Sequence, residues 1–410
     1  MDSLEGILPN SQFEIPISKS TNMSRARRFE RPDYWILAAI GILCMIGVLM
    51  VFSSSGVEEG DPTRLVTRHA MMLGIGTLSL LITMSVPYTR WRRYSVLGIV
   101  VAGLLLVAVL VLPPFFSETI NGAKRWLSIG NLPFSLQPSE LTKLALVIYL
   151  ADWCSTKGEK VRDLTNGLVP FGIVLGTLAG LVFIEPDMGT MLVIFSIGVT
   201  IYFVSGAAMS HMIVGILGAL IAFAIAATAQ PYRMQRVLSF LDPWHDPQGV
   251  SYHSVQSLLA LGSGGWTGMG LGSGRQKYGW LPEQSTDAIF SVWGQEVGFV
   301  GAVLMIALFL VVAWRGYRVA RLAPDGFSSL LATGITTWII FQGMLNIGAV
   351  SGAVPFTGVP LPFISYGGSS LVILLTAVGI LLNISKHANL PVPETRNAGS
   401  KVLRLEPKPR

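Results

Sequence analysis

W-L-P-E-Q-S-T-D-A-I-F-S-V-W-G-Q, residues 280–295, closes the longest polar stretch between apolar runs and opens the next run. It places two carboxylates, Glu283 and Asp287, four residues apart at the water-facing end of an apolar segment. Outward from it the same alternation repeats along the chain. Apolar runs of about 17–25 residues are separated by polar connections, the pattern of helices that span a bilayer. Hydrophobic residues make up 51% and charged residues 13% of the 410 positions, and the mean hydropathy is +0.58. A soluble domain carries about 25% charged residues, so the pattern predicts an all-α polytopic membrane protein packed as one unit. Ten spans are predicted, at about 34–53, 66–86, 94–114, 138–154, 168–184, 188–205, 209–229, 287–313, 328–350 and 368–386.

Basic residues in alternate connections orient these spans. Arg25, Arg27, Arg28 and Arg31 precede the first, and Arg90, Arg92, Arg93, Lys157, Lys160, Arg162, Arg315, Arg318 and Arg321 fall on the same side. That side is read as cytoplasmic. It holds both tails, residues 1–31 and 388–410, around a membrane domain at 32–387. The first thirty residues are polar and irregular, so no cleavable signal peptide is expected. The outer side holds a connection at 115–137 and a long one at about 230–286, a size that is usually functional. Residues 252–261 there read as a short amphipathic helix, followed by a glycine-rich run at 262–274. Outer-side cations (Lys124, Arg125, Arg233, Arg236, Arg275, Lys277) run against the positive-inside preference and need another reason to be there.

The net charge of +6 has no basic stripe interleaved with stacking aromatics. Nucleic acid is therefore excluded in favour of anionic membrane lipids. Cys44 and Cys154 have no pairing or metal-ligand spacing. No zinc, P-loop or Ser-His-Asp signature is present, and His245 and His253 read as isolated loop histidines.

Charges at membrane depth are functional candidates by default. Glu140 and Lys143, three apart on one helix face, read either as a cavity-lining pair or as an internal salt bridge, with Gln137 or Ser139 as the helix cap. Glu185-Pro186-Asp187 joins two apolar runs, with Asp187 placed to cap the second. Arg233 and Arg236 read as headgroup anchors or substrate cations. Asp287 reads as a first-turn residue behind a Ser285 or Thr286 cap, or as a base. In that setting the helix dipole would hold it ionised and weaken its basicity.

Taken in order, N-G-A-K-R-W at 121–126, Q-P-S-E-L-T-K at 137–143, E-P-D-M-G-T at 185–190, Y-R-M-Q-R at 232–236, L-P-E-Q-S-T-D at 281–287, Q-E-V-G-F-V-G at 295–301, N-I-G at 346–348 and P-F-T-G-V-P-L-P-F-I-S-Y-G-G-S-S at 355–370 resemble the SEDS family (shape, elongation, division and sporulation), which includes FtsW, RodA and SpoVE. Within it the chain looks most like the division member. The resemblance implies an inverting peptidoglycan glycosyltransferase in the bacterial plasma membrane, at the division septum, with both termini cytoplasmic. It would polymerise lipid II onto a nascent glycan strand and release undecaprenyl diphosphate. Its partners would be a class B penicillin-binding protein and other divisome proteins. Asp287 corresponds to the family's essential outer-loop aspartate. Lys124, Arg125, Glu140, Lys143, Glu185, Asp187, Arg233, Arg236, Glu283, Ser365, Tyr366, Gly367, Gly368 and Ser369 are the substrate-binding candidates. No metal ligand set is expected, although a magnesium or manganese ion could assist the leaving group. Ala288 stands where phenylalanine commonly follows the aspartate, and Gly279 where members often carry an acid. The second departure puts a secondary acidic role in doubt, not the aspartate itself. An elongation polymerase and a lipid II flippase are the alternatives.

Overall fold

The computed structural model describes residues 31–58, 62–113, 115–120, 123–128, 135–228 and 231–388. The two tails beyond Arg31 and Ala388, and Asn121-Gly122 of the first motif, lie outside the described residues. In chain order come α1 (Tyr34–Glu58), α2 (Pro62–Ser85), the short α3 (Thr89–Arg93), α4 (Ser95–Val111), then β1 (Ser117–Ile120), β2 (Ala123–Ser128) and β3 (Ser135–Leu136). The second half of the order is α5 (Pro138–Lys157), α6 (Val169–Ile184), α7 (Met188–Val204), α8 (Met209–Thr228), α9 (Pro231–Leu241), α10 (Tyr252–Ser263), α11 (Ile289–Arg321), α12 (Gly326–Val350) and α13 (Gly368–His387). Helices close their own backbone hydrogen bonds, which is why apolar runs of this length adopt them in a bilayer. Among the described residues six are long and apolar enough to cross one: Tyr34–Ser55, Thr63–Ser85, Leu164–Ile184, Ile289–Arg321, Gly326–Val350 and Gly368–His387.

The centre of the bundle is α12 and α13, each with 78% of its most apolar window buried. α13 lies along α2, α12 contacts α5, α7 and α11, and α1 fits between α2 and α11. Outward faces of α1, α2, α4 and α11 carry exposed Leu, Ile, Val and Phe side chains, as lipid-facing surfaces do.

Three local readings are corrected. The 115–137 connection is a small antiparallel sheet, β1-β2-β3, with Ser117 opposite Leu127 and Leu127 opposite Leu136. Residues 231–241, read as loop, form α9. The helix predicted from residue 287 begins at Ile289 and is broken at Gly298, whose φ of 76° and ψ of −170° are non-helical. The freed backbone groups are taken up by the glycine-rich run. Met269 N–H donates to Gln295 O (3.0 Å), Gly270 N–H to Glu296 O (3.0 Å), Phe299 N–H to Gly265 O (2.9 Å) and Val300 N–H to Trp266 O (3.1 Å). A β-carbon at position 298 would lie 2.3 Å from the Gly268 nitrogen, so only glycine permits this seam. A buried ion pair pins it. Lys277 Nζ donates to Glu296 Oε1 at 2.7 Å and to Ser53 Oγ of α1 at 2.9 Å. This is the reason for one outer-side cation that topology alone disfavours: Lys277 neutralises a buried carboxylate.

Candidate active site

Asp287 precedes α11 instead of occupying its first turn. The helix cap is Ala288, with no side-chain cap bond. Three successive main-chain carbonyls hold the aspartate in place. Ser285 O accepts from Tyr366 N–H at 2.8 Å, Thr286 O from Ser365 Oγ at 2.5 Å, and Asp287 O from Asn346 Nδ2 at 2.8 Å. Asn346, from the N-I-G motif on α12, also donates to Val359 O at 2.7 Å. It therefore ties the aspartate to the 351–367 connection. Gly358, at a φ of 69°, comes so close that a β-carbon there would be 3.2 Å from Asp287 Oδ2. A side chain at that position would crowd the carboxylate.

The carboxylate faces a cavity of about 570 Å3, lined among others by Arg68, Arg125, Asp187, Arg236, His253, Glu283, Asp287, Phe356 and Tyr366. Burial pushes the Asp287 carboxyl up from 3.8 to about 7. The Glu283 and Asp187 carboxylates push it the same way, while Arg125 and Arg236 pull it down less strongly. The expectation of a dipole-stabilised, weakly basic carboxylate is therefore overturned. Loss of water and two like charges outweigh a helix end that starts two residues later.

Asp187 does both things its position allowed. Its Oδ1 accepts from Thr190 N–H at 2.9 Å, capping α7, and its side chain lines the cavity. Arg125, on β2, donates to Glu185 O at 3.0 Å and to Pro186 O. It clamps the sheet onto the α6–α7 turn. Glu185 itself is 1% exposed and lies behind the cavity wall. Burial, then Asp187, raises its carboxyl to about 8 against the pull of Arg125. Glu283 is exposed at the rim, with Thr286 Oγ1 donating to its Oε2 at 3.0 Å. Tyr366, Gly367, Gly368 and Ser369 form the wall at the start of α13, and Ser369 Oγ donates to Ser135 O at 2.6 Å.

Other candidates fall elsewhere. Ser365 is 4% exposed and serves the main chain: it donates to Thr286 O and accepts from Leu361 N–H at 2.7 Å. Glu140 and Lys143 are 1% and 0% exposed and line neither this cavity nor the groove beside it. Lys143 Nζ donates to Glu140 Oε1 and to Gln342 Oε1, both at 2.8 Å, and sits 5.1 Å from the Trp338 ring centroid. The pair is an internal clasp between α5 and α12, because each charge is partnered inside the bundle. Gln137 is the cap residue of α5, but without a side-chain cap bond. Lys124 on β2 is half-buried and does not line the cavity. Arg233 falls in α9, with its side chain outside the described residues. Sequence reasoning missed Arg68 and Asn346 and read His253 as an isolated loop histidine. For Arg68 the signal was present: a cation inside an apolar run is a candidate by default.

A second, apolar groove of about 580 Å3 runs between α2, α4, the sheet and α13, along Met72, Ile75, Leu105, Leu112, Phe116, Leu127 and Val372. It shares Met72, Ser135, Gly368 and Ser369 with the polar cavity, so the two are continuous. The site thus joins a carboxyl, guanidinium groups and an oily slot.

The model of the FtsW/RodA/SpoVE family, described as cell cycle protein, matches residues 34–390. The chain belongs to this family. It is 41% identical over 363 residues to stage V sporulation protein E of Bacillus subtilis, covering 87% of this chain and 98% of that protein. It is 37% identical over 367 residues to a probable peptidoglycan glycosyltransferase FtsW of Trichlorobacter lovleyi, covering 88% and 95%. Among solved structures it is similar to a chain of a peptidoglycan synthase complex that coordinates polymerization and crosslinking (TM-score 0.73, 29% identity, 87% and 98% covered). It is also similar to the rod shape determining protein RodA of Thermus thermophilus (TM-score 0.65, 26% identity, 88% and 98% covered). The FtsW/RodA/SpoVE member described here is accordingly a membrane-embedded, polytopic helical protein. The motifs that signal the family are those that build the cavity: E-P-D-M-G-T, L-P-E-Q-S-T-D and S-Y-G-G-S-S converge on it, and N-I-G braces it.

Proposed function

We propose that this chain is an inverting peptidoglycan glycosyltransferase that polymerises lipid II during cell division. The observation that carries the reading is a carboxyl held near neutrality in a cavity that also contains guanidinium groups and opens onto an apolar groove. The Asp287 carboxylate takes the proton of the acceptor sugar's 4-hydroxyl. The oxygen attacks C1 of the lipid-linked muramic acid, and the bond from C1 to the diphosphate oxygen breaks with inversion. A base with a pKa near the working pH is effective in this role. Arg68, Arg125 and Arg236 meet the charge that gathers on the departing diphosphate. The apolar groove takes a polyprenyl chain, at about 0.8 kcal/mol per buried methylene. Among the described residues no group of three or more His, Cys, Asp or Glu side chains is placed to hold a metal ion; a magnesium or manganese ion assisting the leaving group would be held by the diphosphate with one or two carboxylates.

In this reading ten spans at 32–387 cross the plasma membrane, both tails are cytoplasmic, and the protein acts at the septum. It works there with a class B penicillin-binding protein that crosslinks the strands, among other divisome proteins. A flippase would be expected to line a path with Glu140 and Lys143, whereas that pair is sealed in the bundle. The test is polymerisation of labelled lipid II by the purified protein and its partner, with the transpeptidase blocked. Glycan strands from wild type and none from a folded Asp287→Ala variant are expected. Equal strand production by both removes Asp287 as the base. A septal fluorescent fusion is expected, and lateral patches would assign the chain to elongation.

A further inference from the structure

One cavity residue has no part in the chemistry above. His253, in the first turn of α10, packs its ring on Phe356, with centroids 4.0 Å apart, and both side chains line the cavity that holds Asp287. Its Nε2 is buried and makes no hydrogen bond among the described residues. The ring leans on Phe356 with its plane tilted by 41°, and Nε2 is the polar atom it leaves without a protein partner among the described residues. A buried donor or acceptor without a partner is costly, so such atoms are retained where a ligand satisfies them.

We infer that His253 is a substrate-binding residue whose imidazole hydrogen-bonds an uncharged hydroxyl or acetamido group of the acceptor sugar through Nε2. The inference rests on the glycosyltransferase reading of the cavity and adds a specificity contact to it. The charged groups that act on the ring are Glu283 and Arg236, which line the same cavity. Burial lowers the imidazole to about 4, Glu283 opposes this and Arg236 adds to it, so the ring is neutral at working pH. A neutral ring suits an uncharged ligand atom, because a hydroxyl or an amide hydrogen-bonds it without needing an opposite charge. Phe356 beside it supplies an apolar face of the kind that packs against a sugar ring.

The experiment compares His253→Phe, His253→Gln and wild type with the partner present. It measures KM and kcat for labelled lipid II, the pH profile, and lipid II binding to the protein in nanodiscs. Phenylalanine keeps the ring contact with Phe356 and removes the nitrogen. Glutamine places an amide near the position of Nε2. His253→Phe is expected to raise KM and weaken binding about tenfold, the scale of one hydrogen bond, with kcat less affected. His253→Gln is expected to recover most of the loss while keeping the acidic limb set by Asp287. A His253→Phe protein that binds and polymerises like wild type overturns the inference and leaves the polymerase reading intact. Loss of the acidic limb in His253→Gln overturns it too, since the ring would then be carrying the proton. Wild type that makes no glycan defeats the polymerase reading, and the nanodisc measurement still decides whether Nε2 contacts lipid II.

Discussion

The ionisation of Asp287 makes the most direct test of the site. A carboxyl near 7 is about one tenth ionised at pH 6 and about nine tenths at pH 8. If its carboxylate is the base, kcat/KM for lipid II should fall about tenfold per pH unit below neutrality and level off above about 8. The neighbours set the position of that limb, so moving them should move it. Glu283→Gln removes the larger of the two carboxylate contributions. Two unit charges about 8 Å apart at an effective dielectric of about 40 interact by about 1 kcal/mol, somewhat under one pH unit. Glu283 is exposed, so solvent screening makes that an upper bound. The limb should move towards lower pH by a few tenths of a unit and by no more than about 0.7. Arg236→Gln should move it upwards, because the guanidinium favours the ionised form. The assay is initial rate against pH from 5 to 9 in detergent with the partner's transpeptidase blocked. Limb position is independent of any overall loss of rate. An acidic limb near 4, or an upward move in Glu283→Gln, refutes the argument that burial and like charge set this group.

The same carboxyl predicts a stability effect. Below pH 3.8 both folded and unfolded chains carry the Asp287 proton, and wild type should match Asp287→Asn. As pH rises towards 7 the unfolded chain ionises first, so wild type loses stability relative to the variant by at most about 4 kcal/mol, a difference that is constant above 7. Thermal unfolding at pH 4 and pH 8 should show the variant's Tm advantage only at the higher pH. Asn346→Ala removes the donor to Asp287 O and Val359 O without touching the cavity lining. At about 1–3 kcal/mol for carbonyls left buried, it should lower kcat about 5- to 100-fold while lipid II binding persists, measured side by side in nanodiscs. Lys143→Ala strands the Glu140 carboxylate in the bundle, while Gln342 Oε1 keeps its bond from Trp338 Nε1, and should cost about 3–5 kcal/mol. Glu140→Gln with Lys143→Met should recover folded yield and activity together, and failure to recover activity would place the pair in the chemistry.

Much of this protein is legible residue by residue. Apolar run length requires helices, since a bilayer leaves no other way to satisfy their backbone. Local spacing also shows that Asp187 caps α7, that residues 252–261 form a helix, and that the polar run ending at Asp287 matters. Four outcomes depend on contacts between distant segments. The break at Gly298 needs the 265–270 run as its hydrogen-bonding partner, and nothing within residues 295–300 specifies one. The sheet at 117–136 forms from short strands that pair only when the connection folds back. Glu140 and Lys143 share a helix face in any reading, but whether that face meets a cavity or Gln342 depends on where α12 lies. Asp287 was expected to be ionised from its own helix end. Its proton affinity is instead set first by the exclusion of water in the packed structure, then by Glu283 and by Asp187, 100 positions earlier. Sequence spacing determines which groups are present and which local elements they occupy. Charge state and access belong to the packed bundle, because desolvation and Coulomb interactions depend on distances through space.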